Sequence, residues 1–317
     1  MTFVALLSGI GIFLYALMLL SDSLKKGFSE RMTEMLSRFT SNRLSAVLTG
    51  TVLTALMQSS SASSVMTVSL VDAGKMSVMS AFWIIVGANI GSVFTGFLTA
   101  IEFSDIAPLF CCAGVIILSA SKKEKMQNTA LSMLGFGLLF VGMNTMSQAV
   151  SGLRSDDRIA GILRSCTNPF SGLVCGAALT AALQSSAVIT ALLQTMAAGG
   201  LIGLREAFVI SLGSNIGTCL TGIFAAVGVD ITAKKVALFH LLFNVFSALL
   251  FLLLCVPFDL VSIVGQLVQT DIKTQIAAVN MLFNIVPAAV ILCMPVDTIR
   301  HFVRKIRTER PKVPIKV

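Results

Sequence analysis

With 317 residues, 56% of them apolar and only 12% charged, and a mean hydropathy of +0.91, the chain lies far from the soluble average. Soluble domains carry about 25% charged residues, so an ordinary soluble fold is excluded and an all-α polytopic membrane protein is expected. The net charge of +8 does not imply a nucleic-acid partner, because the basic residues fall in short loops and a tail, where the positive-inside rule accounts for them.

In chain order, runs apolar and long enough to span a hydrocarbon layer are expected near 3–21, 78–100, 106–120, 129–149, 206–227, 235–257 and 276–296. The first lacks a basic leader and a small-residue cleavage site, so it is expected to stay as a span. Between the runs lie two odd segments, 45–72 and 171–198, each about as long as one tilted helix and each interrupted by Gln-Ser-Ser. A continuous helix would carry that polar cluster through the bilayer centre. A re-entrant hairpin would break there and aim its freed backbone groups into a protein-lined cavity, which uses the cluster better. The stretches 25–44 and 151–168 are polar and mixed in charge. In the first, Leu24, Phe28, Met32, Met35, Leu36 and Phe39 recur at near-helical spacing, which predicts an amphipathic helix in the interface leading into each hairpin.

The two odd segments belong to a repeat with a fixed shift of 126 positions. Thr54 to Ser60, reading TALMQSS, returns as TAALQSS from Thr180 to Ser186, and GANIGS from Gly87 to Ser92 returns as GSNIGT from Gly213 to Thr218. Gly9, Gly11 and Ser21 map onto Gly135, Gly137 and Ser147, and the dipeptide Thr95-Gly96, read as a membrane exit, maps onto Thr221-Gly222. The expected organisation is one membrane transport domain over 1–317: repeat one at about 3–125, repeat two at about 129–258, an extra span at about 276–296 and a short basic tail at 297–317. Doubled units that place amides and hydroxyls at mid-membrane are the usual trace of a secondary transporter.

If the hairpins return to their own side, the two copies enter the membrane upside down relative to each other. One side then collects the basic residues from Lys25 to Lys75, Lys122 to Lys125, Lys234, Lys235 and those of the tail, while the other keeps Arg154, Arg158, Arg164, Arg205 and Lys273. This places the N-terminus outside and the C-terminus in the cytoplasm of a multi-pass cell-membrane protein. Treating each odd segment as a single span gives a similar split, so charge fixes the ends and leaves the hairpins open.

A helix broken at Gln58-Ser59-Ser60-Ser61, or at Gln184-Ser185-Ser186, exposes unpaired N–H groups and partial positive charge at the start of its second half. Such an end accepts an anion. Serine hydroxyls and glutamine amides add neutral donors, so two facing tips can surround a tetrahedral oxyanion; close packing of small residues is the plainer alternative. Around Asn89 and Asn215, flanking glycines permit unwinding, and amide, hydroxyl and carbonyl oxygens from Ser92 or Thr218 would make a hard cage for sodium or contact the substrate. No Lys or Arg falls near the centre of a span or hairpin. A buried anion without compensating charge is costly, so a cation from solution, sodium or a proton, is expected to bind with it. His240 and Asn244 lie one turn apart, echoed by Asn280 and Asn284, and read first as interhelical hydrogen bonding, ahead of proton relay. Asp22 and Asp72 read as solvated span ends. The seven cysteines show no CxxC or metal-ligand spacing and read as small hydrophobes.

At these residues the chain resembles the type II sodium/phosphate cotransporter family, whose hallmark is a Gln-Ser-Ser-Ser motif in each of two inverted repeats. The resemblance runs from about residue 3 to 296. It implies that Gln58, Ser59, Ser60, Ser61, Gln184, Ser185 and Ser186 bind phosphate, and that Asn89, Ser92, Asn215, Thr218 and Thr221 help to hold co-transported sodium. It implies no catalysis and admits a homodimer in the lipid. Ala187 departs from the motif where a serine is expected, and no regulator-like domain resembling the phosphate-uptake regulator follows the last span. The nearest alternative is the same architecture carrying sulfate or a carboxylate. An intramembrane serine hydrolase would need Ser59 or Ser60 within about 3 Å of His240 as base. A lipid-binding or scaffolding role leaves the repeated amides without a task.

Overall fold

The computed structural model describes residues 2–38, 42–103, 105–153 and 168–305, and every regular element among them is helical. In chain order these are α1 (Thr2–Arg38), α2 (Arg43–Met57), α3 (Ser60–Asp72), α4 (Val78–Ala100), α5 (Ala107–Ala120), α6 (Glu124–Leu153), α7 (Pro169–Leu183), α8 (Ser186–Ala198), α9 (Leu204–Ala225), α10 (Ile231–Phe258), α11 (Leu260–Leu267), α12 (Ile272–Cys293) and α13 (Val296–Lys305). Six of them, α1, α4, α6, α9, α10 and α12, are long and apolar enough to cross a membrane. The seventh expected span meets only the 14-residue α5, about 21 Å of helix against a hydrocarbon core of about 30 Å. The polar stretch after residue 24 is no separate interfacial helix, because α1 runs on unbroken through Arg38. Most of its counterpart at 151–168, and the tail beyond Lys305, lie outside the described residues.

Caps set where the helices start. Asn42, Ser77, Asp230 and Asp271 each accept a backbone N–H from the first turn of α2, α4, α10 and α12, supplying acceptors that the helix cannot. Asn168 does the same for α7, which opens on Pro169, where a missing N–H costs nothing. Both odd segments leave by one turn. Gly74 and Gly200, equivalent at the repeat shift, take φ of +67° and +71°, a left-handed conformation that glycine adopts without a Cβ penalty.

Close glycine contacts show how the helices run. A Cβ on Gly87 would fall on the carbonyl of Val47, and one on Gly91, a turn later, on that of Thr51. Rising numbers on α2 therefore meet rising numbers on α4, and the two helices are parallel. Since α3 lies between them in the chain, it must turn back to the end where α2 began. The second repeat copies this, with Gly213 on Leu173 and Gly217 on Ala177, so α7 and α9 are parallel as well. The hairpin reading of both odd segments is what the geometry has.

The first helices of the two copies run the other way. Gly9 abuts Met146, Gly142 abuts Phe13 and Gly135 abuts Leu20, so α1 and α6 are antiparallel along their length. At the repeat shift the pair Gly9–Met146 becomes Gly135–Leu20. Farther in, Gly96 of α4 lies against Thr190 of α8, while its equivalent Gly222 lies against Ser64 of α3, the equivalent of Thr190. Exchange of partners of this kind is the mark of a twofold relation. Around the resulting centre pack the buried aliphatic and aromatic residues of α4, including Phe82, Trp83, Ile84 and Ile85, with Phe82 stacked on Phe239 of α10 at 4.1 Å between ring centroids.

Candidate functional site

Both hairpins break at the same point with the same backbone. Gln58 takes φ 51°, ψ 24° and Gln184 takes φ 53°, ψ 25°; each ends its first arm in the left-handed region. Ser59 and Ser185 follow in extended conformation and cap the second arms, their Oγ atoms accepting from Ala62 N at 3.1 Å and Val188 N at 3.4 Å. A non-glycine residue at positive φ costs of order 1 kcal/mol or more and persists where surrounding structure holds it. Here it stops α2 and α7 abruptly and leaves the first amides of α3 and α8 without an acceptor inside the helix.

The fold brings the two tips together. One small cavity is lined by Gln58, Ser59, Ser60, Ser61, Gln184, Ser185 and Ser186, with Ser92, Thr95 and Ala187. All seven residues expected at the phosphate site meet there. No ionisable side chain lines it, so its field comes from two helix N-termini, hydroxyls and amides. The opening available to water centres is only about 20 Å³, enough for one water molecule and too small for a tetrahedral oxyanion unless the tips part.

The tips are not equally held. Thr95 Oγ1 donates to Gln58 Oε1 at 2.9 Å, and Gln58 Nε2 donates to the Ala55 carbonyl at 2.5 Å, so most of the Gln58 amide is committed. The equivalent Thr221 donates instead to the Thr218 carbonyl at 2.8 Å, and Gln184 is exposed. Thr95-Gly96 is therefore not a membrane exit: both residues are buried inside α4, and Thr95 lines the cavity between the tips. The repeat itself carried the signal, since its equivalent Thr221 was already a candidate. On the second arm of the second hairpin, buried Gln194 accepts from Thr99 at 2.6 Å and donates to the Gly96 and Lys273 carbonyls at 2.8 and 3.0 Å. This clasp ties α8 to α4 and α12; its first-repeat equivalent is Val68.

A second cavity adjoins the first through Ser92, Ser186 and Ala187, and is closed by Gly96, Thr190, Ser211, Ser214, Asn215, Asn280 and Asn284. Asn215 Nδ2 donates to the Ser211 carbonyl at 3.2 Å and Asn284 Nδ2 to the Asn280 carbonyl at 2.8 Å, which leaves their amide oxygens available as acceptors. Ser211 Oγ is buried without a hydrogen-bond partner. A neutral cage of oxygens suits a hard monovalent cation. Of the five expected sodium residues, Ser92 and Asn215 line this cavity. Asn89 is buried and donates to the Ile85 carbonyl at 3.0 Å, and Thr218 donates to the Ser214 carbonyl at 3.0 Å, so neither of these nor Thr221 lines the two cavities. Ser211, Ser214, Asn280 and Asn284 were not among the sequence candidates; the α12 pair was visible as the echo of His240 and Asn244 but read first as interhelical hydrogen bonding.

His240 does not meet Ser59 or Ser60. Its Nδ1 lies 3.2 Å from Ser64 Oγ, one turn farther along α3. Asp72, at the end of α3, is exposed and also accepts from Asp230 N at 2.7 Å, pinning the foot of the first hairpin to the start of α10.

These features define a class: a multi-pass helical membrane protein of duplicated units whose two broken-helix tips enclose a neutral polar cavity. The chain belongs to the Na+/Pi-cotransporter family, whose model matches residues 12–148 and again 149–268. It is similar to the "Uncharacterized protein YqeW" of Bacillus subtilis, 34% identical over 83% of this chain and 84% of that protein. It is also similar to the "Putative inorganic phosphate export protein YjbB" of Escherichia coli, 25% identical over 99% of this chain and 57% of that protein's length. The human "Sodium-dependent phosphate transport protein 2C" is 38% identical over 30% of this chain and 18% of its own. The chain thus spans little more than half of YjbB and a small part of the human protein. No solved structure matches it.

Proposed function

We propose that the chain is a sodium-coupled carrier of inorganic phosphate that works by alternating access. The observation that carries this reading is the meeting of both Gln-Ser-Ser tips at one cavity without an ionisable side chain. Phosphate would bind between the tips, held by amides of α3 and α8, the serine hydroxyls and the free hydrogens of the glutamine amides. Sodium would occupy the adjoining oxygen cage around Asn215, Asn280 and Asn284, supplying the positive charge that the protein does not. With Asn89, Thr218 and Thr221 behind it, that cage would couple the ion to movement of α9 against α8.

The whole chain would act as one membrane domain with two inverted-topology repeats. The antiparallel course of α1 and α6 and the exchanged Gly96 and Gly222 contacts support this, as does the charge split that sets the N-terminus outside and the C-terminus in the cytoplasm. Because the cavity holds about one water, transport requires the tips to separate toward one side and then the other. The looser second tip, with Gln184 exposed, is the candidate to yield first.

The test is uptake of radiolabelled phosphate into proteoliposomes of the pure protein under a sodium gradient, a potassium gradient and a proton gradient. Accumulation under the sodium gradient, and none under the potassium gradient, is expected. Flux with no cation dependence would overturn the coupling. Preferential competition by sulfate or a small carboxylate would keep the architecture and replace the substrate.

A further inference from the structure

The twofold relation between the copies extends to α10 and α12 and exposes one chemical difference. Gly96 lies against Thr190 and Ala277 of α12, and its equivalent Gly222 lies against Ser64 and His240 of α10. The text around His240, Phe243 and Asn244 reappears as Asn280, Phe283 and Asn284. Asn244 Nδ2 donates to the His240 carbonyl at 3.0 Å as Asn284 does to that of Asn280 at 2.8 Å. Phe243 and Phe283 are both buried. Where the second-repeat cage has Asn280, the mirrored place therefore has a histidine, and beside it Asn244 Oδ1 is buried with no hydrogen-bond partner.

We propose that His240 is a proton-binding site loaded together with phosphate, resting on the phosphate reading of the tips. Ser60 lines the substrate cavity, and Ser64, one turn on along the same face of α3, touches the imidazole. A dianion entering a cavity without basic residues draws positive charge to the nearest base. Hydrogen phosphate binds, and a proton taken from water forms an N–H bond on the imidazole lone pair, so that imidazolium and dianion sit about a helical turn apart. Ser64 serves both states: it donates to neutral Nδ1 and accepts from Nδ1–H once the ring is charged. The groups around His240 offer no competing charge. Cys219 of α9 donates from Sγ to the His240 carbonyl at 3.5 Å, and α4 and α11 carry no titratable residue. Asp72 on α3, Arg205 and Glu206 on α9, Lys234, Lys235 and Cys255 on α10, and Lys273 and Cys293 on α12 lie toward the ends of their helices.

At pH values where free phosphate is already the dianion, the bound state holds one proton more than the free partners, so phosphate affinity should fall as pH rises further. The experiment measures binding of radiolabelled phosphate and the accompanying proton uptake, with a pH indicator in weak buffer, for wild type and for His240→Asn, which installs the residue of the mirrored site. His240→Gln is the second variant, should the first not fold. Proton uptake that disappears in the variant while phosphate still binds, with a flattened pH profile, is the expected result. Equal proton uptake and unchanged pH profiles in both proteins would overturn the inference and leave the phosphate reading intact. Absence of phosphate binding to the wild type would sink that reading, and this inference with it.

Discussion

Gln58 shows how much one side chain at the tip does. It ends α2 in a left-handed conformation, accepts from Thr95 and returns an N–H to its own helix at Ala55. Gln58→Ala removes the clasp and the remaining donor, and hydrogen bonds to charged groups are worth about 1.5–3 kcal/mol. Phosphate affinity is expected to fall roughly tenfold or more, measured by equilibrium binding to purified protein that keeps its elution volume; unchanged affinity would move the site elsewhere. Thr95→Val removes only the clasp. It should cost less affinity than Gln58→Ala, since the glutamine amide stays to serve the substrate, and a larger loss would mean that Thr95 itself touches phosphate. Ala187→Ser restores the hydroxyl that the first tip has at Ser61, at a half-buried position on the cavity wall. It should leave uptake at or near the wild-type rate, and loss of uptake would show that the second tip packs too tightly for a hydroxyl there.

At the scale of the element, glycine placement decides which helices touch. The parallel pairs α2–α4 and α7–α9 approach so closely that a Cβ on Gly87 or Gly213 would strike a backbone carbonyl of the partner helix. Small residues at such crossings are what let helices pack where the hydrophobic effect gives no drive. Gly87→Ala should therefore destabilise the protein by about 1–3 kcal/mol through overpacking, read as a lower midpoint of thermal unfolding in detergent. Gly11→Ala is the internal control, because a Cβ there meets nothing within 4 Å, and helix propensity favours alanine over glycine by about 1 kcal/mol. Equal losses at the two positions would mean that helix packing is not what Gly87 serves. The hairpin could be read from the sequence as the better use of Gln-Ser-Ser, but not established there. Charge counting cannot see whether α3 returns, whereas the parallel course of α2 and α4 requires it.

For the whole molecule, the twofold exchange of contacts carries the topology. If the repeats are inverted across the bilayer, the equivalent hairpin feet at Lys75 and Leu201 lie on opposite sides. Single cysteines placed there, in a protein freed of its native cysteines, should react with an impermeant maleimide from opposite faces of oriented vesicles. Labelling from the same face would contradict the inverted arrangement. The sequence by itself determined that the chain is a membrane protein, that it is doubled at a shift of 126 positions, and where along each copy the repeated polar text falls. Those properties depend on composition and on spacing along one strand of text, and they survive without coordinates. Only the tertiary structure decided that both tips share one cavity, that Thr95 faces it, that Asn280 and Asn284 of α12 complete the adjoining cage, and that Ser64 is the serine touching His240. Each of these joins residues far apart in the chain. Their distance depends on how antiparallel and parallel helices settle against one another, and periodicity within a helix carries no information about that.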